Sequence, residues 1–170
     1  WIHLICDGPS DIVLGFERGE EGVMEEAPKS LKESILDHWG KVLILAISLI
    51  SATFSLLLFW HFWQVYNDIA SARTIVFTVL AIQELIYIFS FRSLHRPIFK
   101  YGNFFSNKPL FGTVALGFAQ QFLALYTQFL NDVLDVVPLH LSDWALVFSV
   151  AFIMVGVVEI VKHRTFRSRK

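Results

Sequence analysis

Charge is what this sequence has least of. Only 17% of its 170 residues are Asp, Glu, Lys or Arg, against about a quarter in an ordinary soluble domain. It holds a single cysteine, Cys6, which excludes an internal disulfide and leaves the redox compartment unread. Its six histidines lack the paired spacing of a zinc site. There is no Gly-rich phosphate loop. The chain starts at Trp1 rather than Met, and no cleavable leader is evident. Its first apolar stretch is shorter than the ~20 residues that span a bilayer. The natural reading is a fragment, or a chain cut inside a helix. Apolar bulk is abundant instead: 55% of residues are hydrophobic, with 17 Phe and 5 Trp, and the mean hydropathy is +0.55. Together these point to a membrane protein.

Four stretches are long and apolar enough to cross. Residues 42–63 carry no formal charge. Two pairs of small residues, Ser48/Ala52 and Ser51/Ser55, suit close helix packing in lipid. Trp60, Trp63 and Tyr66 close that stretch like an interfacial belt. Residues 75–91 hold one charge, Glu84, with Gln83 beside it. Residues 109–130 are uncharged, with Gln120 and Gln121 mid-span; such amides are expected to face protein. Residues 144–161 hold Glu159, expected to form a local ion pair with Lys162 or to snorkel. Residues 67–71 and 131–143 read as short polar connections. Residues 92–108 are basic and aromatic. That composition can bind nucleic acid, but between two apolar spans it reads as a lipid-facing loop, so no nucleic-acid partner is expected.

The stretch Trp1–Phe16 is different. It is apolar, yet it carries Asp7 followed at once by Gly8 and Pro9. A carboxylate at membrane depth marks an ion or proton path by default. Pro9 cannot donate an N–H and clashes with the carbonyl of Ile5. The helix is therefore expected to loosen at Asp7, where freed oxygens can hold a hard cation. His3, Cys6 and Asp7 stand at i, i+3 and i+4, so they are expected to share one helical face. With Glu84 they form the candidate metal ligands. The bland alternatives are a protonated Asp7 bonded to a neighbouring helix, a Glu84 making a structural bond to Gln83 or another span, and packing roles for His3 and Cys6.

These residues also carry a resemblance. His3-Leu4-Ile5-Cys6-Asp7-Gly8, then Val13-Leu14-Gly15-Phe16, resembles the sixth transmembrane helix of P-type cation-transporting ATPases, especially the calcium-pump group. The family pattern there is N-x-x-T-D-G-x-P, running on to A-L-G-F. His3 takes the place of the asparagine and Cys6 that of the threonine, and Pro9 comes one position early. Val23-Met24-Glu25, Ala27-Pro28-Lys29 and Lys32-Glu33 keep the order of the family's next loop. Ala72-Arg73-Thr74 and Glu84 resemble its eighth helix, and Gly156 to Lys162 the end of its tenth. The resemblance implies an all-α, polytopic transmembrane helical bundle, one partial span plus four full spans. It divides the chain into a partial transmembrane helix with the ion motif at 1–16, a cytosolic loop at 17–41, and a four-helix region with a basic tail at 42–170.

The resemblance implies Asp7 and Glu84 as ion ligands, with weaker roles for His3 and Cys6. It implies a transported cation, Ca²⁺ in that group, although a histidine ligand fits a softer metal or a proton-linked site better than an amide does. The lipid bilayer and the remaining helices and cytosolic domains of a pump would be the partners. Mg-ATP would be used only outside these residues, because the D-K-T-G-T and T-G-E motifs are absent. Phosphoryl transfer needs a positioned nucleophile and Mg²⁺, so this chain alone should be inactive. The rival reading is a stand-alone non-enzymatic membrane protein or a pump-regulating subunit. Charge supplies an independent orientation. If residues 17–41, 92–108 and 162–170 are cytosolic, all 14 Lys and Arg except Arg73 lie on that side, the positive-inside distribution.

Overall fold

A computed structural model describes residues 1–17, 34, 38–93, 98 and 104–167; the side chains at 39, 66 and 165–167 lie outside that description. So do the family-like loop motifs at 23–33, most of the basic loop and the last three residues of the tail. Among the described residues every regular element is helical. A π-helical turn over Ile2–Cys6 leads into α1, Gly8–Leu14. The long helices are α2 (His38–Tyr66), α3 (Ile69–Tyr87), α4 (Lys108–Tyr126) and α6 (Leu141–Arg167). A 3₁₀ turn, Ile88–Arg92, extends α3, and a short α5, Gln128–Leu134, follows α4. The long apolar stretches Gly40–Val65, Ile69–Arg92, Lys108–Tyr126 and Leu141–Arg164 are each sufficient to cross a membrane by length and composition.

The spans begin and end where capping groups allow, not where apolarity does. Asp68 caps α3. Its carboxylate accepts from the Ala70 N–H at 2.9 Å and the Ser71 hydroxyl at 2.7 Å, so the helix starts at Ile69, ahead of the apolar run at 75. The Ser71 hydroxyl, and then the Ala70 N–H, hold the Asp68 carboxyl below the usual carboxylate range. Asn107 caps α4 by accepting from the Leu110 N–H at 3.1 Å, with a proline in the first turn. The stretch 109–130 is not one helix. It breaks at Thr127, whose backbone is extended, and α5 ends on Asp135 in the left-handed region, φ 53°.

Helix α3 is the centre. Ala72, Ile75, Val79, Ile82 and Leu85 are fully buried, and the helix packs against α2, α4, α6 and the π-turn. Helix α6 meets it with Val147, Val150, Ala151, Met154 and Val158, one stripe at three- and four-residue spacing. Helix α4 contributes Leu110, Val114, Gly117, Gln121 and Ala124 from a single face. It also meets α6 through the Phe122–Trp144 stack, 4.6 Å between centroids. Helix α2 is the outlier: Leu45, Leu49, Leu56, Leu57, Trp60 and Trp63 are exposed, as a lipid-facing helix requires. Of its two small pairs, Ser48/Ala52 faces outward. Ser51 lies on the packed side, where its hydroxyl accepts from the Gln83 amide at 2.6 Å.

One end of the bundle holds charges where the sequence reading placed solvent or lipid. Arg92 was expected in a lipid-facing loop and Glu17 in a solvated connector. They form a buried bidentate pair at 2.8 and 2.9 Å, with side chains 2% and 9% exposed. The same guanidinium donates to the Ser106 hydroxyl and the Phe104 carbonyl. Asn107 donates to the Glu17 carboxylate at 3.0 Å. This cluster joins the end of α1 to the end of α3 and the start of α4. Nearby, Lys162 pairs with Glu159 at 2.9 Å and donates to the Ser90 carbonyl at 2.7 Å. The pairing of Glu159 with Lys162 matches expectation, but neither side chain snorkels; both are buried. Local spacing exposed the second pair in the sequence. The first joins residues 75 apart and left no such trace.

Such pairs are weak contributors when intact and costly when broken, because the surviving charge stays buried. Arg92→Met should lower the unfolding free energy of the detergent-solubilised protein by roughly 3–5 kcal/mol. Arg92→Lys should recover only part, since an ammonium cannot make the fork. A loss below about 1 kcal/mol, the value of a solvated pair, would contradict this burial.

Candidate functional site

The site begins with the broken first helix. The Asp7 N–H donates to the Ile2 carbonyl at 3.2 Å, a five-residue closure. That is the π-turn, a wider coil that recurs at functional sites. Asp7 is the hinge between the two short helices, and the next regular bond is from the Asp11 N–H to the Asp7 carbonyl at 2.9 Å. Pro9 sits in the first turn of α1, where its missing N–H is harmless. Gly8 is required by space: a Cβ there would stand 2.8 Å from the His3 carbonyl oxygen. The loosening expected from Gly8-Pro9 is therefore present, and it falls on the turn before Asp7.

Three of the four candidate ligands converge. His3 Nδ1 lies 3.3 Å from Asp7 Oδ2. Glu84 approaches from α3, and one ligand atom from each of His3, Asp7 and Glu84 lies within 4.8 Å of the others. Asp7 is 8% exposed although it carries a carboxylate. The Asp7 and Glu84 carboxyl groups lie within hydrogen-bonding reach of each other, and Asp7 Oδ1 and Glu84 Oε2 are buried with no other donor among the described residues. The residues open onto a cleft of about 530 Å³, lined also by Asp11, Leu14, Tyr87, Ile88 and Phe91. Three carboxylates in one cleft repel one another unless a cation or proton lies between them. The alternative bond from Glu84 to Gln83 is not made, because Gln83 faces α2 and donates to Ser51.

Cys6 is placed elsewhere, which corrects the shared-face expectation. Its Sγ–H donates to Gln121 Oε1 of α4 at 3.6 Å, both residues buried. The cause is the π-turn. The one-face argument assumed α-helical spacing, and the wider coil breaks that register, so Cys6 meets α4 while His3 and Asp7 line the cleft. Sequence reasoning also passed over Asp11. One helical turn beyond Asp7, it lines the same cleft; its i, i+4 spacing from Asp7 was the available clue.

Residues 1–164 match the family described as "Cation transporting ATPase, C-terminus". "Probable cation-transporting ATPase F" of Mycobacterium tuberculosis is 29% identical over 154 residues, covering 89% of this chain and 17% of that protein. "Calcium-transporting ATPase 1" of Bacillus cereus is 29% identical, covering 95% of this chain and 20% of that protein. "Calcium-transporting ATPase type 2C member 1" of Bos taurus is 28% identical, covering 100% of this chain and 18% of that protein. The chain thus spans about a fifth of the length of these relatives. With its helices long and apolar enough to cross a bilayer, it is an integral membrane protein. It belongs to the family of cation-transporting ATPase C-terminal regions.

Proposed function

We propose that this chain is the membrane-embedded C-terminal part of an ATP-driven cation pump of the calcium-transporting kind. One observation carries the reading: Asp7 and Glu84, from two separate elements, converge with His3 in one cleft that Asp11 also lines. A divalent cation is the simplest group that satisfies several carboxylate oxygens together, because hard cations take six to eight oxygen ligands. Two carboxylates and an imidazole are too few. The helices and cytosolic domains of the rest of the pump would complete the shell and supply phosphorylation by Mg-ATP. The names of the relatives support Ca²⁺ as cargo, and the imidazole of His3 supports a site that also takes softer divalent ions.

The charge distribution supports the orientation in which residues 17–41, 92–108 and the C-terminus face the cytosol. In that orientation the Glu17–Arg92 pair lies at the cytosolic end, and Asp11 lies on the cytosolic side of Asp7. In this reading residues 1–16 bring Asp7, the stretch between α1 and α2 leads toward the phosphorylated domain, and α2 to α6 form the scaffold that supplies Glu84.

In the full-length gene product, Asp7→Asn should abolish Ca²⁺-dependent phosphorylation from ATP while leaving the protein in the membrane. Unchanged Ca²⁺ dependence in that variant would reject the reading. A second outcome follows from the repulsion between the carboxylates. Glu84→Gln removes one of the charges, so in chelator the variant should melt no lower than the parent protein. The rise in melting temperature on adding Ca²⁺ should shrink, because ligand stabilisation scales with affinity. A lower melting temperature in chelator with the full Ca²⁺ increment retained would make Glu84 a structural residue.

A further inference from the structure

Helix α4 bears none of the three converging ligands, yet it touches the immediate neighbours of both acids. Gly117 is the closest approach. A Cβ at that position would lie 2.8 Å from the Cys6 carbonyl oxygen and 2.6 Å from Leu85 Cδ2. Cys6 adjoins Asp7 in sequence, and Leu85 adjoins Glu84. One turn further along the same face, the Gln121 side chain bridges the two elements. Its Oε1 accepts from Cys6 Sγ at 3.6 Å, and its Nε2 donates to Thr78 Oγ1 at 3.5 Å. Gln121 itself is fully buried. Thr78 in turn donates to the Thr74 carbonyl at 2.8 Å, which leaves its oxygen free to accept from the amide.

We propose that Gln121, with Gly117 one turn before it, is the positioning device that sets the separation of Asp7 and Glu84. The π-turn cannot set it alone. A single wide turn that ends at the Asp7 hinge has few bonds to fix its pitch. The amide of Gln121 offers one acceptor and two donors at a fixed spacing. It holds the neighbour of Asp7 with its oxygen and a residue six places before Glu84 with its nitrogen. Gly117 lets the backbones close to the distance at which those bonds reach, the use of a small residue at a membrane helix interface. Cys6 is on this view a tether of the site rather than a ligand in it. The proposal rests on the ion-site reading above.

The test uses the full-length protein in membranes and reads Ca²⁺-dependent phosphorylation over a Ca²⁺ titration. Gln121→Met keeps the volume and loses both bonds. It should raise the half-saturating Ca²⁺ about tenfold with the maximal phosphoenzyme per folded protein unchanged. Thr78→Val should shift it in the same direction, and Thr78→Ser should restore the parent value. Cys6→Ala combined with Gln121→Met should add little to Gln121→Met alone, since the Cys6–Gln121 bond is already lost in the single variant. Gly117→Ala should weaken Ca²⁺ binding too, because its Cβ meets a backbone oxygen that cannot swing away. An unchanged half-saturation in Gln121→Met would overturn the proposal. So would full additivity with Cys6→Ala, which marks Cys6 as an independent ligand. If Gln121→Met fails to fold, the Thr78→Val and Thr78→Ser pair decides by the same titration. Asp7→Asn run alongside separates the failures: a loss there with no effect at Gln121 or Thr78 sinks only the positioning role, and no loss at Asp7 sinks the ion site itself.

Discussion

A carboxylate can stay at membrane depth only if something stands in for the water it has lost. That constraint shapes the first element of this chain and, through it, the packing of the others. Asp7 is almost wholly buried, and the backbone around it is bent into a π-turn, a hinge and a short α-helix. Each irregularity has a residue behind it. Pro9 withdraws a donor, Gly8 admits the crowding of the five-residue closure, and Asp7 bridges the two coils. The consequence is a second acid, Glu84, brought to the same cleft from α3. The two elements together place carboxylates from separate helices in one cleft, while the irregular turn loosens the carbonyls that an unbroken helix would satisfy internally.

The price is that the broken segment has little internal rigidity, and its neighbours supply what it lacks. At one end the Glu17–Arg92 pair, with Asn107 and Ser106, ties the exit of α1 to α3 and α4. In the middle Gly117 and Gln121 close α4 onto the turn. These contacts differ in kind. Breaking the first leaves a buried charge, so it acts on whether the bundle holds together. The second consists of neutral hydrogen bonds with modest net worth, so it acts on geometry before it acts on stability. The Lys162–Glu159 pair belongs to the first class and anchors α6 to the end of α3.

Much of this was legible in the residues. Charge depletion, apolar run lengths and the intramembrane acids give an all-α bundle with a partial first element and four long spans, and the helices follow. Asp7 and Glu84 stand out because an acid alone in an apolar run is too costly to persist without a use. Span limits were less legible because hydropathy ignores capping. Asp68 and Asn107 start helices before the apolar run or at its edge, and Thr127 ends one within it. The Glu17–Arg92 pair was hidden because two charges far apart in sequence look like ordinary loop residues until the fold brings them together. Glu159 and Lys162 were visible as a pair, since their spacing is local, but their burial was not.

Cys6 shows where periodicity arguments stop. Spacing of i, i+3 and i+4 assigns a common face only when the coil holds 3.6 residues per turn. The same Gly-Pro pair that draws attention to Asp7 also states that the coil will not be regular there. The two inferences conflict, and the backbone inference governs: once the turn widens, the residue beside the acid meets the next helix instead of the cleft. A histidine at the start of the turn keeps its place, at 3.3 Å from Asp7, because it lies across the closure from that acid. In a broken helix, ligand sets are therefore better read from where the break falls than from the period on either side of it.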